Sequence, residues 1–271
     1  MLGLLSHLFC NTNLCPPRYT TTAQHMLNII KNVIDFLFPR QCTICGKRLA
    51  AHERGLCVGC MFDLQPSEFA DGHHGNKLER IFWHKIPIAR AAAYLVYDHE
   101  KSQRKIILDL KYHNRPKLAR HIAPLLLNEL KTTGFLDEID LIMPVPIPIL
   151  RKIKRGYNQS QQLAKAISRH TGIPVDNLTV RRKNYTKSQT KVSIGKRAPN
   201  IKHTFVVTPG RKLDHKHILI VDDVITTGST ILAMAKTLCN AYNVKISVLS
   251  LAVSTNLMRN IKTSNPITPG Q

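Results

Sequence analysis

Two groups of residues in this chain have the types and the spacing to do chemistry. The first lies in residues 218–230, ILIVDDVITTGST. The four apolar residues 218–221 read as a strand buried on both faces. Asp222 and Asp223 follow at its carboxyl end, which is where open α/β sheets take their ligands. Thr226, Thr227, Gly228, Ser229 and Thr230 then turn into a helix. Gly228 leaves backbone amides free to close around an anion, the hydroxyls add donors, and a helix N-terminus adds favourable partial charge. Two carboxylates beside such a cradle would repel a bare phosphate. The combination suits a ligand that carries hydroxyl donors next to its phosphate, as ribose 5-phosphate does.

The second group is CTICGKRLAAHERGLCVGC at 42–60. Cys42 with Cys45 and Cys57 with Cys60 form two C-x-x-C pairs. A two-residue gap lets two thiolates approach one cation from a single tight turn, and two such knuckles complete a tetrahedral shell. With all four positions filled by sulfur no site remains for a substrate water, so the predicted zinc is structural. A pair of redox dithiols and an iron–sulfur cluster are the other readings; a colourless protein excludes the cluster. Cys10, Cys15 and Cys239 show no comparable pattern. Without a secretion signal, this cysteine usage points to a reducing, cytoplasmic setting.

Stepping outward, the elements that must position these groups alternate in type. Strands are expected at ARAAAYLVYD, IDLIMPVPI, HILIVDD and KISVLSLAVS, and helices at about 102–110, LARHIAPLLLNEL, NQSQQLAKAISRH and from TTGST to 242. VDNLTVRR and HTFVVT read as strands around a long basic loop. Alternation of apolar strands with crossover helices predicts an α/β fold with a mostly parallel sheet and helices on both faces. No stretch reaches the roughly 18 apolar residues of a spanning helix.

The expected organisation is a disordered or mis-annotated extension over 1–25, with Met26 the natural start. An N-terminal helix and the four-cysteine zinc module fill 26–68, a bridge 69–89, the α/β domain 90–256 and a tail 257–271. The helix from Met26 carries a short apolar stripe that suits core docking, so membrane association is at most peripheral.

Charge adds a further constraint. The 271 residues carry a formal net charge of +22. Between residues 151 and 216 there are 17 Lys and Arg against two acids, Asp176 and Asp214, so that segment alone holds +15. Such concentration favours polyanionic partners.

VDDVITTGST resembles the phosphoribosyl-pyrophosphate motif of type I phosphoribosyltransferases. The resemblance implies that Asp222 and Asp223 contact the ribose hydroxyls and that Thr226, Thr227, Gly228, Ser229 and Thr230 hold the 5′-phosphate. A second stretch, PVPIPILRKIKRGYNQSQQLA at 144–164, is similar to a signature of the ComF family of competence-associated proteins. Arg182, Thr186, Gln189, Arg197, Asn200 and Phe205, the LKY at 110–112 and the four-cysteine module fit that family too. The likeness runs from about residue 27 to 254.

Several expectations follow from it. The ligand is phosphoribosyl pyrophosphate with magnesium, and displacing the pyrophosphate needs cations beside the leaving group. Arg151 and Arg155, on the loop that follows the strand ending in Pro144-Val145-Pro146, are the candidates, since the guanidinium fork bonds two phosphate oxygens. Asp222, Asp223, Arg151 and Arg155 are therefore the expected catalytic set. In related transferases a flexible loop closes over the ligand; here Gln189, Lys191 and Arg197 are its candidates. Purine-salvage enzymes of the fold carry an Asp where this chain has Thr226, which argues against hypoxanthine or guanine as acceptor. The family implies a role in natural transformation, with single-stranded DNA and DNA-uptake proteins as partners. Two functions remain open: transfer of phosphoribose to an unidentified acceptor, or a catalytically silent module that binds single-stranded DNA on its basic surface.

Overall fold

The protein was analysed as a computed structural model, which describes Met26, Ile29, residues 39–183 and residues 204–263. The chain divides into two units, Met1–Arg40 and Gln41–Gln271, and the sheet lies wholly in the second. The expected extension over 1–25 lies outside the described residues, as does the N-terminal helix apart from Met26 and Ile29. Among the described residues no helix is long and apolar enough to cross a membrane.

Four parallel strands form the sheet: β1 (Ile88–Tyr97), β2 (Leu141–Pro144), β5 (His217–Ile225) and β6 (Lys245–Ser254), in the order β1-β6-β5-β2. Their near-continuous apolar sequences follow from burial on both faces. On one face Ala92, Ile142, Leu219, Val221, Leu249 and Leu251 enter a core with helices α3 (Arg104–Tyr112), α4 (Leu118–Lys131) and α6 (Gln159–Thr171). On the other, Ala91, Ala93, Met143, Ile218, Ile220 and Val248 pack against α7 (Ser229–Cys239) and α8 (Thr255–Thr263). Alternate strand residues thus feed two separate cores, as a period of two requires.

Both sheet edges are partly covered, which shortens the unpaired rim that invites strand addition. Against β1, the Ser67 amide donates to Tyr94 O and the Ala93 amide to Phe69 O. Against β2, the Ile142 amide donates to Pro174 O and the Asp176 amide to Ile142 O. A separate antiparallel pair, β3 (Val180–Arg182) with β4 (Phe205–Val207), stands at the two ends of the basic segment 184–203.

Some boundaries read from sequence are displaced. Residues 69–89, expected as a bridge, belong to the core: Phe69, Leu78 and Phe82 are buried, Leu78 within the short helix α2 (Lys77–Arg80). The domain also runs past 256, because α8 returns to the sheet and buries Leu257 and Ile261 where a tail was expected from 257. The four-cysteine module, which includes the short helix α1 (Val58–Phe62), is no separate body. Cys42, Ile44, Leu49 and Leu56 enter the same core as Ile106, Leu110 and Leu118.

Candidate functional site

The acid pair sits where one neighbour of β5 stops and the other continues. Pairing with β2 ends at Pro144 opposite Val221, while pairing with β6 goes on through Asp222 opposite Ser250 to Ile225 opposite Val253. Past the end of β2 the backbone needs other partners. The carboxylates supply them: the Asp223 amide donates to Asp222 Oδ1 at 2.8 Å and the Val224 amide to Asp223 Oδ1 at 2.7 Å.

Two side chains from the helical layer complete the pair. Ser160 Oγ, in the first turn of α6, donates to Asp222 Oδ1 at 3.0 Å. Lys111 Nζ, at the end of α3, lies 3.1 Å from Asp223 Oδ2. Strict alternation would send these neighbouring acids to opposite faces of the sheet; here helices of one face reach both. Burial, and next the charge of Asp223 beside it, push the Asp222 carboxyl up to about 7. The pair is a place where negative charge is held against its own repulsion.

The loop after β5 has the shape of an anion cradle. Gly228 caps α7 in the left-handed region, at φ 74°, and as a glycine brings no capping side chain of its own. A Cβ there would meet Ile81 Cδ1 at 2.9 Å and the Phe82 ring at 3.3 Å, so both conformation and space require glycine. Thr227 Oγ1 accepts from the Ser229 amide at 3.3 Å and donates to Ser229 Oγ at 2.9 Å. Thr226 and Thr227 are exposed, and Ser229 and Thr230 half-buried. All five candidate loop residues thus stand together at one helix start, directly after the acids.

Arg151 and Arg155, expected on a loop, lie one turn apart on a short helix, α5 (Ile149–Arg155). Pro148 opens it and Gly156, left-handed at φ 76°, closes it, so the two arginines share one face. With Lys154 and Lys111 they line a cavity of about 630 Å³. Arg155 also stacks over the Tyr112 ring at 5.1 Å and donates to Gln159 Oε1 at 3.0 Å. Lys111 is therefore shared, facing the cationic cavity on one side and the acid pair on the other. Gln189, Lys191 and Arg197 lie outside the described residues.

Lys111 and Ser160 are site residues that the sequence reading did not single out. LKY was noted only as part of a resemblance, and a serine inside NQSQQ reads as helix filler. Neither has a sequence signal of its own, since each acts across a gap of many residues.

The four cysteines converge. Their sulfurs all lie within 4.8 Å of one another, with Cys45 Sγ 3.8 Å from Cys57 Sγ. A tetrahedral shell with bonds of about 2.3 Å places its sulfurs about 3.8 Å apart, so the donor set fits a structural zinc. Burial opposes a charge on Cys42, but backbone donors at Cys45, Cys57 and Ile44 outweigh it and hold the thiol down to about 7. Burial and the neighbouring sulfurs push Cys60 up.

The sequence model of the phosphoribosyl transferase domain matches residues 112–265. "Competence protein F" of Haemophilus influenzae is 30% identical over 224 residues, covering 79% of this chain and 97% of its own length. "DNA utilization protein YhgH" of Salmonella typhi is 31% identical over 212 residues, 74% of this chain and 91% of that one. The protein of the same name in Escherichia coli K12 is 30% identical over 201 residues, 73% and 83% respectively.

The raised Asp222 carboxyl has a consequence for stability. Its contribution to folding is fully present below the ordinary aspartate value near 4 and is lost as pH rises through about 7. Asp222→Asn, which keeps the shape and removes the charge, should stabilise the ligand-free protein by about 1–3 kcal/mol at pH 8. At pH 4 it should leave stability unchanged. Urea unfolding at the two pH values measures this; an equal effect at both would mean that Asp222 ionises there without strain.

Proposed function

Because the chain belongs to the phosphoribosyl transferase domain family, among the competence and DNA-utilization proteins, we propose that it binds phosphoribosyl pyrophosphate and acts in the handling of incoming DNA. One observation carries the ligand assignment. Asp222 and Asp223 stand side by side at the end of β5 and lead directly into a glycine-capped helix start. Carboxylates only accept hydrogen bonds, so they select hydroxyl donors, and the helix start selects an anion. A sugar with vicinal hydroxyls and a 5′-phosphate joins the two.

In this reading Asp222 and Asp223 take the ribose hydroxyls, and Thr226, Thr227, Gly228, Ser229 and Thr230 take the phosphate. Arg151 and Arg155 face the pyrophosphate from α5. Magnesium, when bound with the ligand, neutralises part of the charge on the leaving group. Transfer would break the bond between the anomeric carbon and pyrophosphate as an acceptor adds. This chain's share is to hold sugar and leaving group apart in fixed positions and to stabilise the departing charge. Calorimetry with phosphoribosyl pyrophosphate and magnesium should give saturable heat. The Asp222→Asn/Asp223→Asn variant should weaken it at least about tenfold, the scale of one lost hydrogen bond to a charged group. An undiminished affinity in that variant removes the site assignment. Pyrophosphate release that requires both magnesium and an acceptor marks turnover.

The cysteine cluster is assigned a structural zinc. Elemental analysis should find one zinc per chain, and Cys45→Ser should lose it with a lowered Tm. A protein with no zinc and an unchanged Tm contradicts the assignment.

The second reading, a basic surface for single-stranded DNA, is favoured by α5. None of its residues is buried, and it displays Arg151, Lys152, Lys154 and Arg155 beside exposed Leu150 and Ile153. Binding to a single strand should weaken with salt along a log–log slope of about −0.7 per phosphate neutralised. A salt-independent affinity rules this surface out.

A further inference from the structure

Lys111 is placed as no other cation of the site is. Its ammonium lies 3.1 Å from Asp223, with side-chain exposures of only 22% and 15% for the two partners. It also lines the cavity that Arg151, Lys154 and Arg155 share. Three cations on one side repel it and a carboxylate on the other attracts it, so in the ligand-free protein the ammonium rests on Asp223. That contact occupies a lone pair which a ribose hydroxyl would need.

The position of Lys111 is fixed from several directions. Tyr157 Oη donates to the carbonyl of Leu110, the residue before it, at 2.6 Å. Asp109, two residues back, accepts from Arg115 at 2.9 Å, and Arg115 reaches Thr43 Oγ1 of the cysteine module at 3.4 Å. Lys105, at the start of the same helix, donates to Ile44 O at 2.7 Å. The helix is thus pinned while the lysine stem, with its flexible four-carbon chain, keeps its reach. Lys111 lies immediately before the segment 112–265 that matches the transferase domain.

We propose that Lys111 is an exchangeable counter-ion, resting on Asp223 in the ligand-free protein and moving to the pyrophosphate group when ligand binds. The inference rests on the sugar-phosphate reading of the acid pair. The exchange does two things at once. It releases Asp223 to accept the ribose hydroxyls, and it adds a fourth cation to the cavity when an anion of high charge enters. No covalent step is involved. Binding at the pyrophosphate end thereby prepares the ribose end, so the two halves of the ligand favour each other through one side chain.

The test uses the two halves separately on the full-length protein, by calorimetry at fixed salt: inorganic pyrophosphate with magnesium, and ribose 5-phosphate. Lys111→Met should weaken pyrophosphate binding about tenfold or more, the scale of one charge-assisted hydrogen bond. It should leave ribose 5-phosphate binding unchanged within about threefold, or tighter. Lys111→Arg should restore most of the pyrophosphate affinity. A lysine that merely holds the fold would lower both affinities together, and that result, like pyrophosphate binding unchanged in Lys111→Met, overturns the proposal. If Lys111→Met fails to fold, Lys111→Gln and the Lys111→Arg comparison decide by the same split. Pyrophosphate binding that depends on Lys111, with no uptake of ribose 5-phosphate by the wild type, would sink the sugar-phosphate reading of the acid pair while keeping the cation site. Uptake of neither half by the wild type overturns both.

Discussion

Two carboxylates on consecutive residues of one strand repel each other, and the site is built around that repulsion. At an effective dielectric constant near 20, unit charges 4 Å apart interact by about 4 kcal/mol, a sizeable share of the stability of a domain. The compensation comes from three places at once. Backbone amides of Asp223 and Val224 bond the two side chains, Ser160 reaches Asp222 from α6, and Lys111 reaches Asp223 from α3. Burial still leaves Asp222 with a raised carboxyl. A protein selected for stability alone would place an apolar residue or an amide there. Conflict between local cost and global fold is expected where a ligand has to be bound.

The segments that compensate the pair are themselves fastened to one another. GYNQS at 156–160 is the junction. Gly156 ends α5, Tyr157 bonds the last turn of α3, Asn158 donates to Val145 O while capping α6, and Ser160 reaches the acid. Five residues therefore tie three helices and the end of β2 to the strand that carries the site. The cysteine module extends this frame, because Lys105 and Arg115 bond its first knuckle and Leu56 and Cys42 share the core of α3 and α4. A metal held there would bear on the candidate site only through the seating of α3.

Much of this was legible from local pattern. Apolar runs ended by turn residues gave the parallel strands, and the paired C-x-x-C spacing gave a converging cluster, because both signals lie within a few residues of each other. The placement of Asp222 and Asp223 directly before a glycine-capped helix start was visible for the same reason. What sequence did not disclose was long-range. Lys111 and Ser160 meet the acids at sequence separations of 112 and 62, and period-two reasoning would have separated the acids onto two faces. The stretch 69–89 was misread as a bridge because Phe69, Leu78 and Phe82 are spaced too irregularly to display a period. Residues 149–155 were read as loop because a seven-residue helix with no buried face has no apolar stripe to reveal it.

The misread bridge bears most directly on how the site is built. Gly228 must adopt a left-handed backbone, and the space its missing side chain would fill is taken by Ile81 and Phe82, immediately after α2. The loop that carries Gly228 is thus shaped from outside the segment 112–265 that matches the transferase domain. The same preceding stretch supplies β1, which pairs along nearly the whole of β6, and Lys111 at the acid pair. Removing it would uncover the edge of β6, widen the space at Gly228 and leave Asp223 without its cation. Residues 41–111 are therefore structural parts of the candidate site, and the transferase-like segment is completed by them rather than merely preceded by them.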